Sequence, residues 1–340
     1  MDKTENIPII DIGMTETRIG MSFESFPFKL IPTPFDLFFN PHILVNEFES
    51  IYNLSLERFR TKFQEFIYHI SFNELNESFE NNEIIILLNM LLPMDFIESV
   101  QYVILNNIGA SKCIIMPSQK SSIYLSPSNS GIILDFGFTN ISFIPFYSGF
   151  VLEKGIRVFK TSGLNLFRKM HESLSKLNQK FDSLSFENQF LLIKKIAKEV
   201  LYMPLVRESE IIHKEYSDEK NAMTTKTVKV VFMNNTWFYN YIENFRNSNY
   251  FFEDAYSVVD EFISFLFELP VNLLVNLISN IIPTGGLIMM TNFFQRFQEE
   301  LVQKIDLMKN TNETLIGVIS SKLSFPYMLN TQNIIGWVGG

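Results

Sequence analysis

Two aspartates stand where chemistry is easiest to place. Asp11 and Asp135 each end an apolar run, IPIID and GIILD, and each is followed two positions on by a glycine, Gly13 and Gly137. An apolar run, an acid, a glycine and a second apolar run read as strand, turn and strand, with the carboxylate where the first strand meets the turn. Glycine has no Cβ, so the backbone can bend sharply there and a ligand can approach closely. A turn of this kind points backbone N–H groups into one concavity, which suits a phosphate. A carboxylate beside it suits a magnesium ion held through its waters. A third glycine site, Gly285-Gly286 in PTGGLIMMTNFFQRF, precedes a helical pattern and allows close approach of a phosphate or adenine.

Other chemistries lack their residues. The four histidines (His42, His69, His171, His213) are scattered and the single cysteine is Cys113, so metal ligation by His and Cys is not expected. Cys113 precedes Ile114 and Ile115 and reads as a buried, inert thiol. There is no phosphate-binding Gly-x-x-x-x-Gly-Lys loop, no Gly-x-Ser-x-Gly and no Gly-x-Gly-x-x-Gly. A net charge of −9 argues against a nucleic-acid partner, because no cationic face replaces counterions. The apolar runs 84–94 and 269–282 are shorter than roughly 18 residues and carry Asn or Pro, so no membrane insertion is expected. The start, MDKTENIPII, has no basic region leading into a long apolar core, so no secretory leader is expected and the chain reads as cytosolic or nuclear.

The elements that position these sites alternate. With 340 residues, 46% of them hydrophobic and 19% charged, the chain can build two cored lobes. Spacing predicts a helix over 46–72, a buried strand over 83–88, a helix over 94–107, a strand over CIIMP and a short helix over SQKSSIYL. After the second corner, helices are expected over 162–174 and 186–203, a polar excursion over 214–229 and a strand over 228–233. Residues 253–282 read as largely helical with a break at Pro270, and 334–340 as a last strand. The pattern is α/β. Two strand–Asp–x–Gly–turn–strand units suggest a duplication with two facing lobes.

The same residues carry a family resemblance. The chain resembles the actin-fold superfamily of actins, sugar kinases and chaperone ATPases. IIDIGMTETRIG is similar to the first phosphate loop, ILDFGFTNISFIPFYSGF to the second with its Pro145-x-Tyr147-x-Gly149 run, TGGLIMMTNFFQRFQEEL to the adenosine loop, and GWVGG to the Trp-x-Gly-Gly strand of actins. The resemblance implies duplicated, ribonuclease H-like lobes around a central nucleotide cleft. Lobe I would take 1–124 plus 334–340, with a reduced front subdomain within about 24–80. Lobe II would take 125–333, with an excursion over about 165–250. It also implies ATP or ADP with magnesium as the ligand. The residues it places on the nucleotide are Asp11, Gly13, Arg18, Asp135, Gly137, Thr139, Lys198, Gly285, Gly286 and Leu287, with Asp11 and Asp135 holding magnesium through water.

Departures from the family pattern imply a changed role. Actins carry a second aspartate inside the second loop and a histidine beyond it, where this chain has Phe138 and Ser142. Losing a positioned group of that sort costs roughly 10²–10⁴ in rate, so ATP turnover is not expected. The actin water-positioning glutamine falls near Gln119, Arg18 stands where actins keep a lysine, and Lys198-Glu199 fall close to an actin Lys-Glu pair. Met290 replaces a tyrosine. Set beside actins, the short stretch after Gly20 and the end at Gly340 would leave out surfaces by which actins assemble. Together these imply a non-catalytic structural subunit at the pointed end of dynactin's actin-related filament, cytoplasmic and cytoskeletal. Its partners would be that filament and the pointed-end subunits of dynactin. The cleft would either hold ATP without turnover or be vestigial. A nuclear actin-related subunit of a chromatin remodeller is the alternative, and an active sugar kinase lacks a substrate-side carboxylate motif.

Overall fold

A computed structural model describes residues 6–22, 24–38, 55–159, 162–177, 179–199, 228–231, 238–241, 257–308 and 313–326. The expected strand over 334–340 and most of the polar stretch 214–229 lie outside these residues, as does the start of the helix expected from residue 46. Contacts divide the chain into two compact units. The first comprises Met1–Lys160, Asn276–Gly285 and Ser324–Gly340, and the second Thr161–Val275 and Gly286–Leu323. The strands over 131–159 and 281–284 fall in the first unit and those over 228–241 in the second.

The first unit holds two mixed sheets. In one, β1 (Pro8–Ile12), β2 (Glu16–Met21), β3 (Lys29–Pro32), β4 (Glu83–Leu88) and β5 (Lys112–Pro117) lie in the order β3-β2-β1-β4-β5. β1 runs antiparallel to β2 and parallel to β4. All five β1 residues are buried, which explains why PIIDI shows no polar alternation. The other sheet contains β6 (Gly131–Phe136), β7 (Ile141–Tyr147), β8 (Phe150–Val151), β9 (Arg157–Phe159) and β12 (Ile281–Thr284), ordered β12-β6-β7-β8 with β9 also paired to β7. Ile123, Ile133, Ile144, Phe146 and Ile282 form its core, with Met90 packed against them.

Helix α1 (Leu56–His69) begins where Ser55 Oγ accepts the Arg58 N–H at 3.2 Å. It buries Phe59, Phe63, Phe66 and Ile67, and the Phe59 ring meets the Phe96 ring of α2 (Met94–Tyr102) edge-on at 4.7 Å. Wider π turns extend both helices, over Ile70–Leu75 and Val103–Asn107, and Asn76 in the left-handed region (φ 55°) ends the first. SQKSSIYL splits into α3 (Ser118–Ser121) and a 3₁₀ turn over Ser122–Leu125.

One expected helix is partly a strand. Residues 281–282, read as the end of a helical run, instead open β12 (Ile281–Thr284), which pairs parallel with β6 so that Thr284 stands beside Asp135. Asn280 fixes that register. Its carbonyl accepts the Ile132 N–H at 3.0 Å, and its Nδ2 donates to Ser126 Oγ at 2.7 Å and to the Ser130 carbonyl at 2.9 Å. Gly131 is required there, since an added Cβ would stand 2.2 Å from the Asn280 carbonyl oxygen.

In the second unit, α4 (Gly163–Leu177), α5 (Gln179–Asp182) and α6 (Phe186–Glu199) pack around Phe167, whose ring meets Phe190 at 5.1 Å. His171 is half-buried: its Nε2 lies 3.0 Å from Gln189 Oε1 and its ring meets Phe181 at 5.2 Å. Strands β10 (Val228–Val231) and β11 (Phe238–Tyr241) form an antiparallel ladder. Two more helices, α7 (Val258–Glu268) and α8 (Val271–Ile278), are separated at Pro270 as expected, and the chain passes between units within α8. α9 (Phe293–Met308) packs on α7 through Phe297 and Phe262, 5.7 Å apart, and α10 (Glu313–Lys322) follows. Among the described residues no helix is long and apolar enough to cross a membrane.

Candidate functional site: paired acidic corners

Both corners fold to one plan. In the β1–β2 hairpin Asp11 faces Arg18, and the Gly13 N–H closes the turn on the Glu16 carbonyl at 3.1 Å. In the β6–β7 hairpin Asp135 faces Ser142, and the Gly137 N–H closes the turn on the Asn140 carbonyl at 3.0 Å. Each glycine's own N–H is therefore used to close its turn. Glycine is needed for the turn itself: a Cβ on Gly13 would lie 2.6 Å from the Glu16 carbonyl oxygen, and one on Gly137 2.7 Å from that of Asn140.

The two carboxylates converge within the first unit and each holds a protein donor. Arg18 Nη1 donates to Asp11 Oδ2 at 3.2 Å, both side chains being buried. Gln119, from α3, donates its Nε2 to Asp135 Oδ2 at 2.6 Å. The Gln119 amide is engaged at both ends, since its Oε1 accepts the Met90 N–H at 3.0 Å. Burial raises the Asp11 pKa against the opposing charge and hydrogen bond of Arg18. Burial likewise pushes Asp135 up to about 6; the Gln119 hydrogen bond opposes it, the Asp11 charge adds to it and the Arg18 charge offsets part.

Three buried polar atoms at the corners have no partner among the described residues: Arg18 Nε, Asn140 Oδ1 and Ser142 Oγ. Thr139 is buried in the second turn, and Phe138, where actins carry an acid, is half-buried. Gly285 also belongs to this unit. It takes φ +101°, and a Cβ there would meet the Phe136 carbonyl oxygen at 2.5 Å and Asp135 Oδ1 at 2.7 Å. It thus ends β12 tight against the second acid. The glycine pair is followed by a short turn and then a helix, as expected: Gly286 caps a 3₁₀ turn over Leu287–Met289, and α9 starts at Phe293. Gly286, Leu287 and Lys198 belong to the second unit, Gly286 exposed and Lys198 on α6.

Cys113 is half-buried rather than buried, and burial pushes its thiol up to about 11, which leaves it protonated and inert at neutral pH. Gln119 is the site residue whose partner the sequence conceals, because its position in the chain gives no sign that its amide meets Asp135.

Residues 60–259, more than half of the chain, match the sequence model of the Actin family. The chain belongs to the actin family, and its paired sheets and helices are those of an actin-like fold. Proteins of this fold typically bind ATP or ADP with magnesium. The corner residues do not offer that ion two unpaired carboxylates for direct coordination. Magnesium takes carboxylate oxygens open to its octahedral water shell. Here one oxygen of each acid is committed to Arg18 or Gln119, and Asp135 Oδ1 lies against Gly285. Among the described residues no third acid, histidine or cysteine joins the pair. The orphaned charged atom is Arg18 Nε, a donor that suits an anion; Asn140 Oδ1 and Ser142 Oγ are neutral.

Proposed function

We propose that this protein is an actin-related structural subunit that does not hydrolyse ATP, of the kind of actin-related protein 10, the subunit at the pointed end of dynactin's short filament. Its place is then cytoplasmic and cytoskeletal, supporting dynein-driven transport along microtubules. A subunit with one assembly surface changed joins the end of a head-to-tail filament and stops further addition. Its partners are the actin-related filament and the pointed-end subunits of dynactin.

The observation that supports the non-catalytic reading best is the state of Gln119. Orienting an attacking water needs an amide with one end directed at the water. Gln119 Oε1 accepts from both the Met90 N–H and Ser118 Oγ, and one of its two amide N–H groups is donated to Asp135. Phe138 and Ser142 stand where actins place an acid and a histidine, so the second corner has no spare ionisable group to replace it. Nucleotide, where bound, acts as a staple for the folded chain, stabilising it with the logarithm of its excess over Kd.

Affinity purification of the full-length protein from its own cells, with subunits identified by mass spectrometry, tests the assignment. Recovery with dynactin subunits, at fixed stoichiometry, is the expected result. Recovery with chromatin-remodeller subunits and no dynactin would replace this reading with a nuclear one.

A further inference from the structure

The same corner differs from a magnesium-nucleotide site in a way that predicts its ligand chemistry. We propose that it binds the phosphates of a nucleotide without a divalent cation, the Arg18 guanidinium supplying the positive charge. The inference rests on the nucleotide-holding part of the reading above and on nothing in the filament assignment.

Three observations carry it. First, the acids that would share a cation's water shell are already paired, Asp11 with Arg18 at 3.2 Å and Asp135 with Gln119 at 2.6 Å. A metal bound directly through Asp11 Oδ2 and Asp135 Oδ2 would compete with a guanidinium at one and an amide at the other. Second, Arg18 is buried yet its Nε has no partner among the described residues. A buried donor without an acceptor is costly, and a phosphate oxygen satisfies it through a charge-assisted hydrogen bond. Third, Arg18 Nη1 would lie 3.6 Å from a Cβ on Gly13, so the guanidinium lies beside the turn where the glycine keeps side-chain bulk away. Arginine suits this role because its planar fork can hold a carboxylate with one nitrogen and an anion with another.

Asp11 then has a positioning role: it aims the guanidinium. As a metal-shell ligand its neutralisation would abolish binding. As a brace for Arg18 its neutralisation removes a negative charge facing the phosphates.

Calorimetric titration of the full-length protein with ADP and with ATP, each in magnesium buffer and in excess EDTA, tests the proposal. The two buffers are expected to give Kd values within about threefold of each other. Arg18→Gln is expected to weaken binding roughly tenfold or more in both. Asp11→Asn, which keeps the shape, is expected to bind as tightly as the parent or more so. Thermal melting of each variant separates a lost site from a lost fold, and the two-buffer comparison needs no variant. Loss of more than about thirtyfold in affinity on chelation would overturn the proposal. So would a folded Asp11→Asn protein that no longer binds. Absence of binding in both buffers would overturn it too, while leaving the non-hydrolytic structural reading standing, since that does not require a ligand.

Discussion

Asp135 faces Ser142 across the β6–β7 hairpin at the step where Asp11 faces Arg18 across β1–β2. The first corner therefore answers its buried acid with a cation from the returning strand. The second has only a hydroxyl opposite, and the Ser142 Oγ is unpartnered among the described residues. Gln119 fills that gap from a different element. An amide neutralises nothing, so Asp135 is the more frustrated of the two acids, and its behaviour with pH follows.

Burial raises Asp135 from 3.8 to about 6 in the folded protein. Between those values the folded chain holds a proton that the unfolded chain has lost, so stability falls as pH rises through this window and is flat above it. Asp135→Asn keeps an acceptor for Gln119 and removes the ionisation. It is expected to be more stable than the parent by about 1–3 kcal/mol at pH 7–8, with the difference vanishing towards pH 4. Chemical denaturation across that range measures it.

Gln119→Leu acts in the opposite sense. It removes the hydrogen bond that lowers the Asp135 pKa and leaves the Met90 N–H without its acceptor. A loss of about 2–4 kcal/mol is expected at pH 8 and a smaller one at pH 5, where Asp135 is largely protonated. The contrast between the two pH values, read by urea melts, distinguishes this from simple loss of packing.

The glycine pair divides cleanly. Gly285→Ala combines φ +101° with a Cβ driven against the Phe136 carbonyl and Asp135, and is expected to cost about 2–4 kcal/mol or more. Gly286→Ala meets nothing within 4 Å and is expected to stay within about 1 kcal/mol of the parent. Parallel thermal melts of the two variants check the ranking.

In the second unit, Arg296 and Glu300 form a buried pair along α9, with Nη2 2.6 Å and Nε 3.1 Å from the same carboxylate oxygen. Burial raises the Glu300 pKa while Arg296 opposes the rise. Arg296→Met strands that acid and is expected to cost about 3–5 kcal/mol at neutral pH, whereas the double variant with Glu300→Leu recovers most of the loss. A double-mutant cycle in urea gives both numbers.

These sites differ in how plainly the chain announces them. Asp11 and Asp135 stand out because an acid ending an apolar run before a glycine has few other uses, and strand β4 is legible to the residue because EIIILL is short, apolar and bounded. β12 is not, because ISNIIPT continues an apolar helical run and periodicity cannot distinguish a buried helix end from a buried strand. Its strand character comes from Asn280 and from the β6 edge it pairs with, which are tertiary facts. Gln119 is concealed for the same reason: its meeting with Asp135 depends on how α3 follows β5, and a glutamine after a strand carries no mark of its partner. The use of the Gly13 and Gly137 N–H groups to close their own turns is hidden too, since it depends on how each turn folds.

The proposed lack of ATP hydrolysis rests on the hydrogen bonds that hold Gln119 and on Phe138 and Ser142 in the second corner. Single-turnover phosphate release from ATP, with enzyme in excess and magnesium present, addresses it directly. The account predicts release no faster than the protein-free blank, in the parent and in Gln119→Ala alike. Phosphate release well above the blank in the parent, abolished by Gln119→Ala in a protein that remains folded, would contradict it.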